Sequence, residues 1–407
     1  MKKVLIASYG GAHSQALIPI IEYLKNDESW DVQVLGLTYA FRDFYEAALT
    51  GIWDFDSILR AASPRYEKLL TVGEKILPEG FDPAVGYENS RAYYGSGFAD
   101  LIDKEGLKKG AAKFLDLGRK SFFPIQTAEE ILSFVSPDIV VTTNSPRMER
   151  AMAIAARNLN LPVVIVVPTF LSFELEWVGD NEYGTHVCVF HDAVKRVLTN
   201  FGRNENAISV TGNPYYHRFV NQALERCDAY DLNSSVLKVL YLAQQEIHPM
   251  GSEADKSEPN KLCVDVLAEL RSLEEKGVCE ASVRFHPKQA SSMAGIEVPI
   301  NVIPNDIPLA DVAFEFDMVI SVNSSAAIEC QLLGLPVIEL MWSIKAGTVP
   351  FGEIGPHLQL YSLKALGAAI ENFGSRDKIA SAYIPKKDPV TKIVGIMKAC
   401  MVKSGGD

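Results

Sequence analysis

Residues 138–167 read DIVVTTNSPRMERAMAIAARNLNLPVVIVV, and this stretch decides the fold class. Two β-branched apolar runs, 138–143 and 161–167, flank a segment that has the spacing of an amphipathic helix. Pro146 is typical of a helix start, and Pro162 is typical of the connection that follows a helix end. A strand, a helix and a second strand in this order predict two parallel neighbours in one sheet.

The same alternation continues on both sides of this unit. Helical patterns near 14–25, from 192 onward, and near 262–276 and 324–333 lie between short apolar runs. Further strands are predicted at 4–8, 31–37, 186–190, 207–210, 236–242, 281–285, 301–303, 317–321 and 337–340. The whole pattern predicts an α/β protein of two facing Rossmann-like domains with parallel sheets.

The chain divides at the point where this pattern restarts. We expect an acceptor-side domain at 1–205, a nucleotide-binding domain at 206–385, and a C-terminal helix and tail at 386–407. Residues 45–127 of the first domain show no strand pattern and predict a helical insertion, with a turn at Gly95-Ser96-Gly97. The insertion either shapes a substrate cleft or adds packing, and both interpretations stay open.

Composition excludes several classes of protein. The chain has 407 residues, of which 48% are hydrophobic and 22% charged, unlike a disordered chain or a disulfide-stapled miniprotein. The net charge of −12 disfavours nonspecific nucleic-acid binding, because an acidic surface repels phosphate backbones. Six scattered cysteines without a C-x-x-C pair fit a reducing compartment, and no apolar run reaches the about 20 residues of a membrane helix. We expect a cytoplasmic protein without a signal peptide.

A polar turn follows the predicted strand at 317–321. Asn323, Ser324 and Ser325 lead into a helix, where backbone N–H groups and hydroxyls can hold a phosphate. Glu329, one helical turn later, is a candidate to accept ribose hydroxyls. The alternative is that these Asn and Ser residues only cap the helix.

A second polar loop follows the strand at 281–285. It begins with His286, Pro287 and Lys288, which place an imidazole and an ammonium at the carboxyl edge of the sheet. Such groups can donate to a phosphate oxygen or protonate a leaving group near neutral pH. Gln244, just after the strand at 236–242, is a weaker candidate at the same edge.

The stretch Val210-Thr-Gly-Asn-Pro214 opens the second half. Gly212 and Asn213 tolerate unusual backbone angles and are candidates to line the phosphates. The alternative for this stretch is a simple hinge turn.

Two loops of the first half end strands at the predicted cleft. Gly10 and Gly11 allow an acceptor to lie close to the backbone, and His13 is a candidate base on its hydroxyl group. Arg147, near the start of another helix, is a candidate contact for an anionic acceptor, with solvation at a helix start as its alternative.

No H-E-x-x-H, G-x-S-x-G or Walker A motif occurs in its required context, and Asp54-Phe55-Asp56 fits an amphipathic helix or turn better than a metal site.

Three stretches of the second half carry a resemblance. VTGNP (210–214), RFHPK (284–288) and DMVISVNSSAAIECQLLGLPVI (317–338) resemble B-type glycosyltransferases of bacterial surface-polysaccharide synthesis. The most similar groups are polysialyltransferases, Kdo transferases and CDP-glycerol glycerophosphotransferases. The resemblance implies that His286, Ser324 and Ser325 contact the cytidine phosphate of a donor. It also implies a glycan or lipid-linked acceptor, in capsule synthesis for example, and peripheral association with the inner face of the membrane as one option.

The chain also departs from these families. The glycines and His13 are similar to the first loop of UDP-sugar transferases, so both CMP- and UDP-linked donors stay open. The G-T-R-P-E start of the UDP-GlcNAc 2-epimerases, which share this fold, is missing. We therefore expect a metal-independent glycosyltransferase that needs no cofactor beyond its nucleotide-sugar substrate, with His13 and His286 as catalytic residues. The alternatives are a nonhydrolysing UDP-N-acetylglucosamine 2-epimerase-like enzyme and a non-catalytic polysaccharide-assembly protein.

Overall fold

The computed structural model describes residues 1–171, 173–226, 236–246, 258–286, 289, 293, 298–347, 349–373 and 388–404. The chain forms two compact units, Met1–Tyr215 with Pro385–Asp407, and Tyr216–Ile384. Each unit contains one sheet, and all recorded strand pairs are parallel. The predicted class, α/β with two Rossmann-like parallel sheets, is confirmed.

The sheet of the first unit has seven strands in the order β3-β2-β1-β4-β5-β6-β7. The strands are β1 (Lys2–Ser8), β2 (Trp30–Gly36), β3 (Ile52–Asp54), β4 (Ile139–Thr143), β5 (Val163–Val167), β6 (His186–Val189) and β7 (Ile208–Val210). Strands β1, β4 and β5 are almost wholly buried, because helices cover both faces of a parallel sheet. The order reverses between β1 and β4, so the loops that follow these two strands meet at one edge.

The helices of the first unit surround this sheet. They are α1 (Ala12–Lys25), α2 (Ala40–Glu46), α3 (Phe55–Ala62), α4 (Tyr66–Ile76), α5 (Tyr87–Glu105), α6 (Leu107–Leu117), α7 (Ile125–Val135), α8 (Met148–Asn158), α9 (Leu175–Val178) and α10 (Asp192–Phe201). Helix α11 (Pro214–Arg226) begins at the junction of the two units.

The prediction that 45–127 contains no strand is wrong at β3. This strand pairs in parallel with β2, with Val34 opposite Ile52, and Trp53 Nε1 donates to Gln33 Oε1 at 3.1 Å. It has only three residues, all partly exposed at the sheet edge, so it gives no alternating pattern in the sequence. The helical character of the rest of the insertion agrees with α3 to α6.

The predicted turn at Gly95-Ser96-Gly97 is also wrong, because all three residues lie inside α5. A Cβ atom on Gly95 would lie 1.9 Å from the backbone oxygen of Leu69, and one on Gly97 would lie 2.4 Å from the Phe122 ring. The glycines are therefore required by close packing against α4 and Phe122 rather than by a change of chain direction.

The last helix, α16 (Pro389–Ser404), packs into the core of the first unit. Its Ile393 and Met397 are fully buried in the cluster that contains Leu17 and Ile20 of α1. The sequence predicts a separate C-terminal helix and tail at 386–407. In the structure, this helix is part of the core of the first unit.

The sheet of the second unit has six strands in the order β10-β9-β8-β11-β12-β13. The strands are β8 (Leu237–Ala243), β9 (Cys279–Phe285), β10 (Asn301–Val302), β11 (Met318–Ser321), β12 (Val337–Leu340) and β13 (His357–Leu360). The helices are α12 (Lys261–Glu275), α13 (Leu309–Val312), α14 (Ser325–Leu332) and α15 (Leu363–Glu371). Strand β13 is an edge strand with two exposed residues, which explains why its sequence carries no strand signal.

Within the described ranges, none of the helices has the length and apolar character that crossing a membrane requires.

Candidate functional site

The carboxyl ends of β1 and β4 lie side by side in the first sheet. The loop after β1 contains Gly10 and Gly11, and the loop after β4 leads to Arg147. The loops touch, because the Arg147 guanidinium lies 5.4 Å from the centre of the Tyr9 ring. The structure thus brings together the three residues that the sequence assigned to the acceptor side, and their role there stays a prediction.

Close packing explains Gly10 of the first loop, and a positive φ explains Gly11. A Cβ atom on Gly10 would lie 2.4 Å from the Cβ of Tyr39, so no other residue fits there without displacement. Gly11 has φ +75°, and its N–H donates to Asp43 Oδ2 at 2.9 Å. The same carboxylate oxygen accepts from the Ser14 hydroxyl. Asp43 therefore fixes the path of the loop into α1.

His13 lies in the first turn of α1, and its ring is partly buried at the edge of the sheet. Its Nδ1 lies 2.7 Å from Thr143 Oγ1 at the end of β4. Burial lowers the pKa of His13 to about 4, so the imidazole is neutral at pH 7. A neutral imidazole with one nitrogen fixed by a hydrogen bond is suited to act as a general base.

Thr143 connects His13 to a carboxylate that sequence reasoning missed. Glu149, in the first turn of α8, is fully buried. Its Oε1 accepts from Tyr9 N at 2.6 Å, and its Oε2 accepts from Thr143 N at 2.7 Å and from Thr143 Oγ1 at 2.5 Å. Burial raises the pKa of Glu149 to about 7, against the opposing effect of these donors.

The protonation of Glu149 selects the tautomer of His13 through this relay. When Glu149 is ionised, the Thr143 hydroxyl donates to it and accepts from Nδ1–H of His13, which leaves a lone pair on Nε2. When Glu149 is protonated, it donates to the Thr143 hydroxyl, which then donates to Nδ1 and places the proton on Nε2. When Glu149 is ionised, His13 Nε2 can therefore accept a proton. When Glu149 is protonated, His13 Nε2 carries a proton and can donate it.

The sequence contains one signal that could have identified Glu149. This residue occupies the same helix face as Met152, Ala153 and Ala156, at spacings of three, four and seven, and all of these positions are buried. A carboxylate on an apolar face needs hydrogen-bond partners, so it marks a polar cluster in the core. Thr143, inside an apolar strand, gives no comparable signal.

Two arginines at this edge lie on aromatic rings. Arg147 has φ +64° just before α8, and the hydroxyl group of Tyr9, whose ring it contacts, lies 3.0 Å from that of Tyr93. The Arg150 guanidinium lies 5.1 Å from the ring centre of Phe123 and 4.9 Å from that of Trp177. Arg147 is thus held against Tyr9 by a cation–π contact and is not simply solvated at a helix start.

The candidates of the second unit follow three neighbouring strands, β9, β8 and β11. His286 comes directly after β9, Gln244 after β8, and Ser324 three residues beyond the end of β11. The backbone pairing continues past β9, because His286 N donates to Ala243 O at 3.0 Å. Adjacent strands lie about 4.8 Å apart, so the ends of β9 and β11 lie about 10 Å apart, on either side of β8. The sheet order brings these candidates to one edge, and nucleotide binding there stays a prediction.

The local geometry at α14 shows one role for Ser324. Ser324 is the N-cap of the helix, and its Oγ accepts from Ala326 N at 3.3 Å. Its own N–H donates to Ser321 Oγ at 3.2 Å. Ser325 begins the helix with a partly exposed side chain, and Asn323 precedes the cap in a similar environment. The capping alternative is therefore realised, and phosphate contact is a further role that this geometry leaves as a prediction.

Other predicted residues occupy different environments. Glu329 is 8% exposed in α14, whereas the His286 side chain is exposed. Gly212 has φ +87° and Asn213 is buried, and both belong to the first unit rather than to the second. Asn213 Nδ2 donates to Pro168 O at 2.8 Å and its Oδ1 accepts from Tyr215 N at 2.9 Å, as expected of a turn.

Two further candidates, Pro287 and Lys288, lie outside the described residues. Among the residues that are described, no group of three or more His, Cys, Asp or Glu side chains has an arrangement suited to a metal ion.

Solved structures similar to this chain include UDP-GlcNAc 2-epimerases. The enzyme from Methanocaldococcus jannaschii, in complex with UDP-GlcNAc and UDP, has a TM-score of 0.61 and 15% identity, over 98% of this chain and 99% of that one. The enzyme from Rickettsia bellii has a TM-score of 0.60 and 14% identity, over 99% and 98% of the two chains. The enzyme from Neisseria meningitidis, bound to UDP-GlcNAc, has a TM-score of 0.57 and 13% identity, over 98% of this chain and 100% of that one.

No family model matches this chain, and no curated protein matches it. The structural likeness extends along nearly the whole of each chain, and at such low identity it shows the shared fold alone.

Proposed function

We propose that this chain is an enzyme that acts on a nucleotide-sugar, and that it epimerises the sugar of a UDP-linked N-acetylhexosamine at C2. The observation that carries the proposal is the relay of His13, Thr143 and Glu149 at the carboxyl edge of the first sheet. Similarity to several UDP-GlcNAc 2-epimerases, over nearly their whole length, supports this reaction ahead of glycosyl transfer.

Epimerisation needs a proton to leave a carbon and to return on the opposite face. In the proposed reaction, His13 Nε2 accepts the C2 proton while ionised Glu149 holds the correct tautomer through Thr143. The C2–H electron pair forms a C1=C2 double bond as the C1–O bond to UDP breaks, and UDP leaves with the electron pair of that bond. UDP then adds back to C1 while a solvent-derived proton is added to C2 on the opposite face. Burial keeps His13 neutral, so the base is ready at physiological pH. The second unit holds the phosphates at the edge formed by His286, Ser324 and Ser325.

Glycosyl transfer is the second candidate, and the absence of the epimerase motif favours it. The G-T-R-P-E start of the epimerases is missing, and the loop after the first strand reads Tyr9-Gly10-Gly11-Ala12-His13. A base on a glycine loop suits removal of a proton from an acceptor hydroxyl group equally well. In this case the donor is a CMP- or UDP-sugar and the acceptor is a glycan or lipid-linked glycan of surface-polysaccharide synthesis.

An incubation in D2O separates the two reactions. The purified chain is mixed with UDP-GlcNAc alone, and the products are followed by NMR. Epimerisation by proton removal and return yields the 2-epimer with deuterium at C2 and needs no second substrate. Glycosyl transfer consumes the donor only when an acceptor is added and introduces no deuterium at carbon.

His13→Gln serves as the test of the base, since it keeps a polar side chain but removes the imidazole. We expect conversion and deuterium incorporation to disappear together. Consumption of donor that depends on acceptor would establish the second candidate instead. If no nucleotide-sugar is consumed and neither UDP, CDP, CMP nor GDP raises the melting temperature, both enzymatic proposals fail, and a non-catalytic assembly protein remains.

A further inference from the structure

The loops that follow β8 and β12 are joined to each other at the carboxyl edge of the second sheet. Ser343, three residues beyond the end of β12, donates from Oγ to Glu246 Oε1 at 2.7 Å. Ile344 N donates to the other oxygen, Glu246 Oε2, at 2.9 Å. Strand β11 lies between β8 and β12, which are therefore about 10 Å apart. The two loops thus meet beyond the carboxyl end of β11.

The loop after β12 is also fixed at both of its ends. At its start, Met341 N donates to Leu360 O at 2.8 Å. At its end, Gly347 N donates to Oε1 of Glu339, a β12 carboxylate that is 1% exposed, at 2.9 Å. Backbone N–H groups hold the two ends and Glu246 holds the middle, so the side chains between them have a defined position.

Lys345 lies in the middle of this loop. Its backbone N–H donates to Ser343 Oγ at 3.1 Å, and its ammonium donates to the backbone oxygen of Gln245. Counting on along the parallel register of β11 and β8 places Gln245 level with Ser324. The ammonium therefore lies at the same edge as the candidate nucleotide-binding residues.

The surroundings of Lys345 suit it to an anionic ligand. Burial lowers the pKa of Lys345, whereas the nearby Glu246 carboxylate acts in the opposite direction and favours the charged form. A partly desolvated ammonium interacts more strongly with an anion than one in bulk water does. The hydroxyl groups of Ser324 and Ser325 supply no charge at this edge, so Lys345 adds what they lack.

We propose that Lys345 binds a phosphate group of the nucleotide, and that Ser343 is the positioning residue that holds it in place. This inference rests on the proposed function, which places the phosphates of a nucleotide-sugar at the edge of the second sheet. The alternative is that the ammonium only joins two loops. The two roles predict different responses to a nucleotide and to its nucleoside, because only the nucleotide carries phosphate.

Paired titrations with a nucleotide and its nucleoside test the proposal on the full chain. The panel of UDP, CDP, CMP and GDP first identifies the nucleotide that raises the melting temperature most. Calorimetric titration then measures the Kd of this nucleotide and of its nucleoside. We expect Lys345→Met to raise the Kd of the nucleotide at least about tenfold, because a charge-assisted hydrogen bond to phosphate is lost, and to leave that of the nucleoside within about twofold. Lys345→Arg keeps the charge and should restore most of the affinity.

A double-mutant cycle tests the role of Ser343. Ser343→Ala removes the bonds to Glu246 and to the Lys345 N–H without changing the charge, and it should raise the nucleotide Kd roughly three- to tenfold. The same substitution in the Lys345→Met background should have almost no further effect, because the ammonium that it positions is gone. Ser343→Thr keeps the hydroxyl group and should bind like the wild type. Additive losses would show that Ser343 does not act through Lys345.

Lys364→Met is the matched control, since it makes the same charge change at an exposed position of α15 and should leave both Kd values within about twofold. Circular dichroism and thermal denaturation without ligand check that each variant is folded. The proposal is overturned if Lys345→Met leaves nucleotide binding unchanged, weakens nucleotide and nucleoside equally, or has no larger effect than Lys364→Met. A wild-type chain that binds none of the four nucleotides would overturn the proposed function as well, whereas unchanged nucleotide binding by Lys345→Met overturns this inference alone.

Discussion

The two sheets place polar residues at the same position in the fold, beyond the carboxyl ends of parallel strands, yet the two edges differ in burial. At the first edge, His13 is connected through Thr143 to Glu149, which has no exposed surface. At the second edge, the His286 side chain is exposed and Ser324 caps a helix. The difference teaches that a buried hydrogen-bond chain equips an edge for proton transfer, whereas polar groups at a rim equip it for binding.

The largest expected effect is the difference in kinetics between substitutions of His13 and of His286. His13→Gln removes the base, and we expect kcat to fall by about 10²- to 10⁴-fold with little change in KM, because a base acts on the transition state. His286→Gln removes the proposed phosphate contact, so KM should rise and the thermal shift caused by UDP should shrink. Steady-state kinetics with UDP-GlcNAc or with the donor–acceptor pair measures both.

His186→Gln is the control for these variants. His186 lies at the amino end of β6, where its Nε2 is 2.9 Å from Ser209 Oγ, on the opposite edge of the first sheet. Its substitution should leave kcat and KM unchanged. Equal losses of kcat at His13 and His286 would remove the distinction between a proton-transfer edge and a binding edge.

A somewhat smaller effect is expected from Glu149→Gln. The amide donates to the Thr143 hydroxyl and fixes the His13 tautomer that carries its proton on Nε2, so kcat should fall roughly 10²-fold. In the wild type, kcat should rise with pH through about 7, the pKa to which burial raises Glu149, as the basic tautomer forms. A wild-type pH profile that is flat between pH 5 and pH 8 would contradict the relay.

The same substitution changes how stability depends on pH. The folded pKa of Glu149 is raised from 4.5 to about 7, so its contribution to the free energy of unfolding is present below pH 4.5 and is lost as the pH rises to about 7. The expected loss is on the order of 3 kcal/mol for a shift of this size. Urea denaturation at several pH values should show that Glu149→Gln removes this part of the pH dependence.

Thr143→Val tests the connecting hydroxyl with a smaller expected effect. The variant keeps the shape of the side chain but breaks the contact between Glu149 and His13, so kcat should fall about tenfold with KM unchanged. Thr143→Ser retains the hydroxyl and should restore most of the activity. Failure of serine to restore kcat would indicate that the methyl group, and thus packing, accounts for the loss.

The smallest effect is expected at the second edge. Ser324→Ala removes the N-cap of α14 and should lower the free energy of unfolding by about 1 kcal/mol, which thermal denaturation measures. Ser325→Ala, within the first turn, should cost less stability. If Ser324 also contacts phosphate, the Ser324 variant will lose more of the UDP-induced thermal shift than its loss of stability explains.

The fold was largely predictable because its central strands are apolar and β-branched. Strands such as β4 and β5 are buried on both faces, and that burial forces a continuous apolar run. The edge strands β3 and β13 have three and four residues and face solvent, so neither is visible as a pattern. Gly95-Ser96-Gly97 has the composition of a turn, but close packing against residues distant in sequence requires its glycines, and sequence spacing does not show that packing.

The candidate site was only partly predictable. His13 and the two glycines could be identified, because polar and glycine residues after an apolar strand mark a sheet edge. The connection to Glu149 could not, since it depends on the pairing of β1 with β4 across more than a hundred residues. Sequence spacing shows which residues lie at an edge, and only the tertiary contacts show which of them share a proton.

The placement of α16 has a consequence for biosynthesis. Its Val390, Ile393 and Met397 complete the core that begins with β1, so the first unit is built from both ends of the chain. A ribosome releases the whole of the second unit before this last helix emerges. During translation, the apolar face of the first unit that α16 covers therefore stays exposed until the last residues emerge. Truncation of the last few turns of α16 would leave that face permanently accessible to chaperones and proteases.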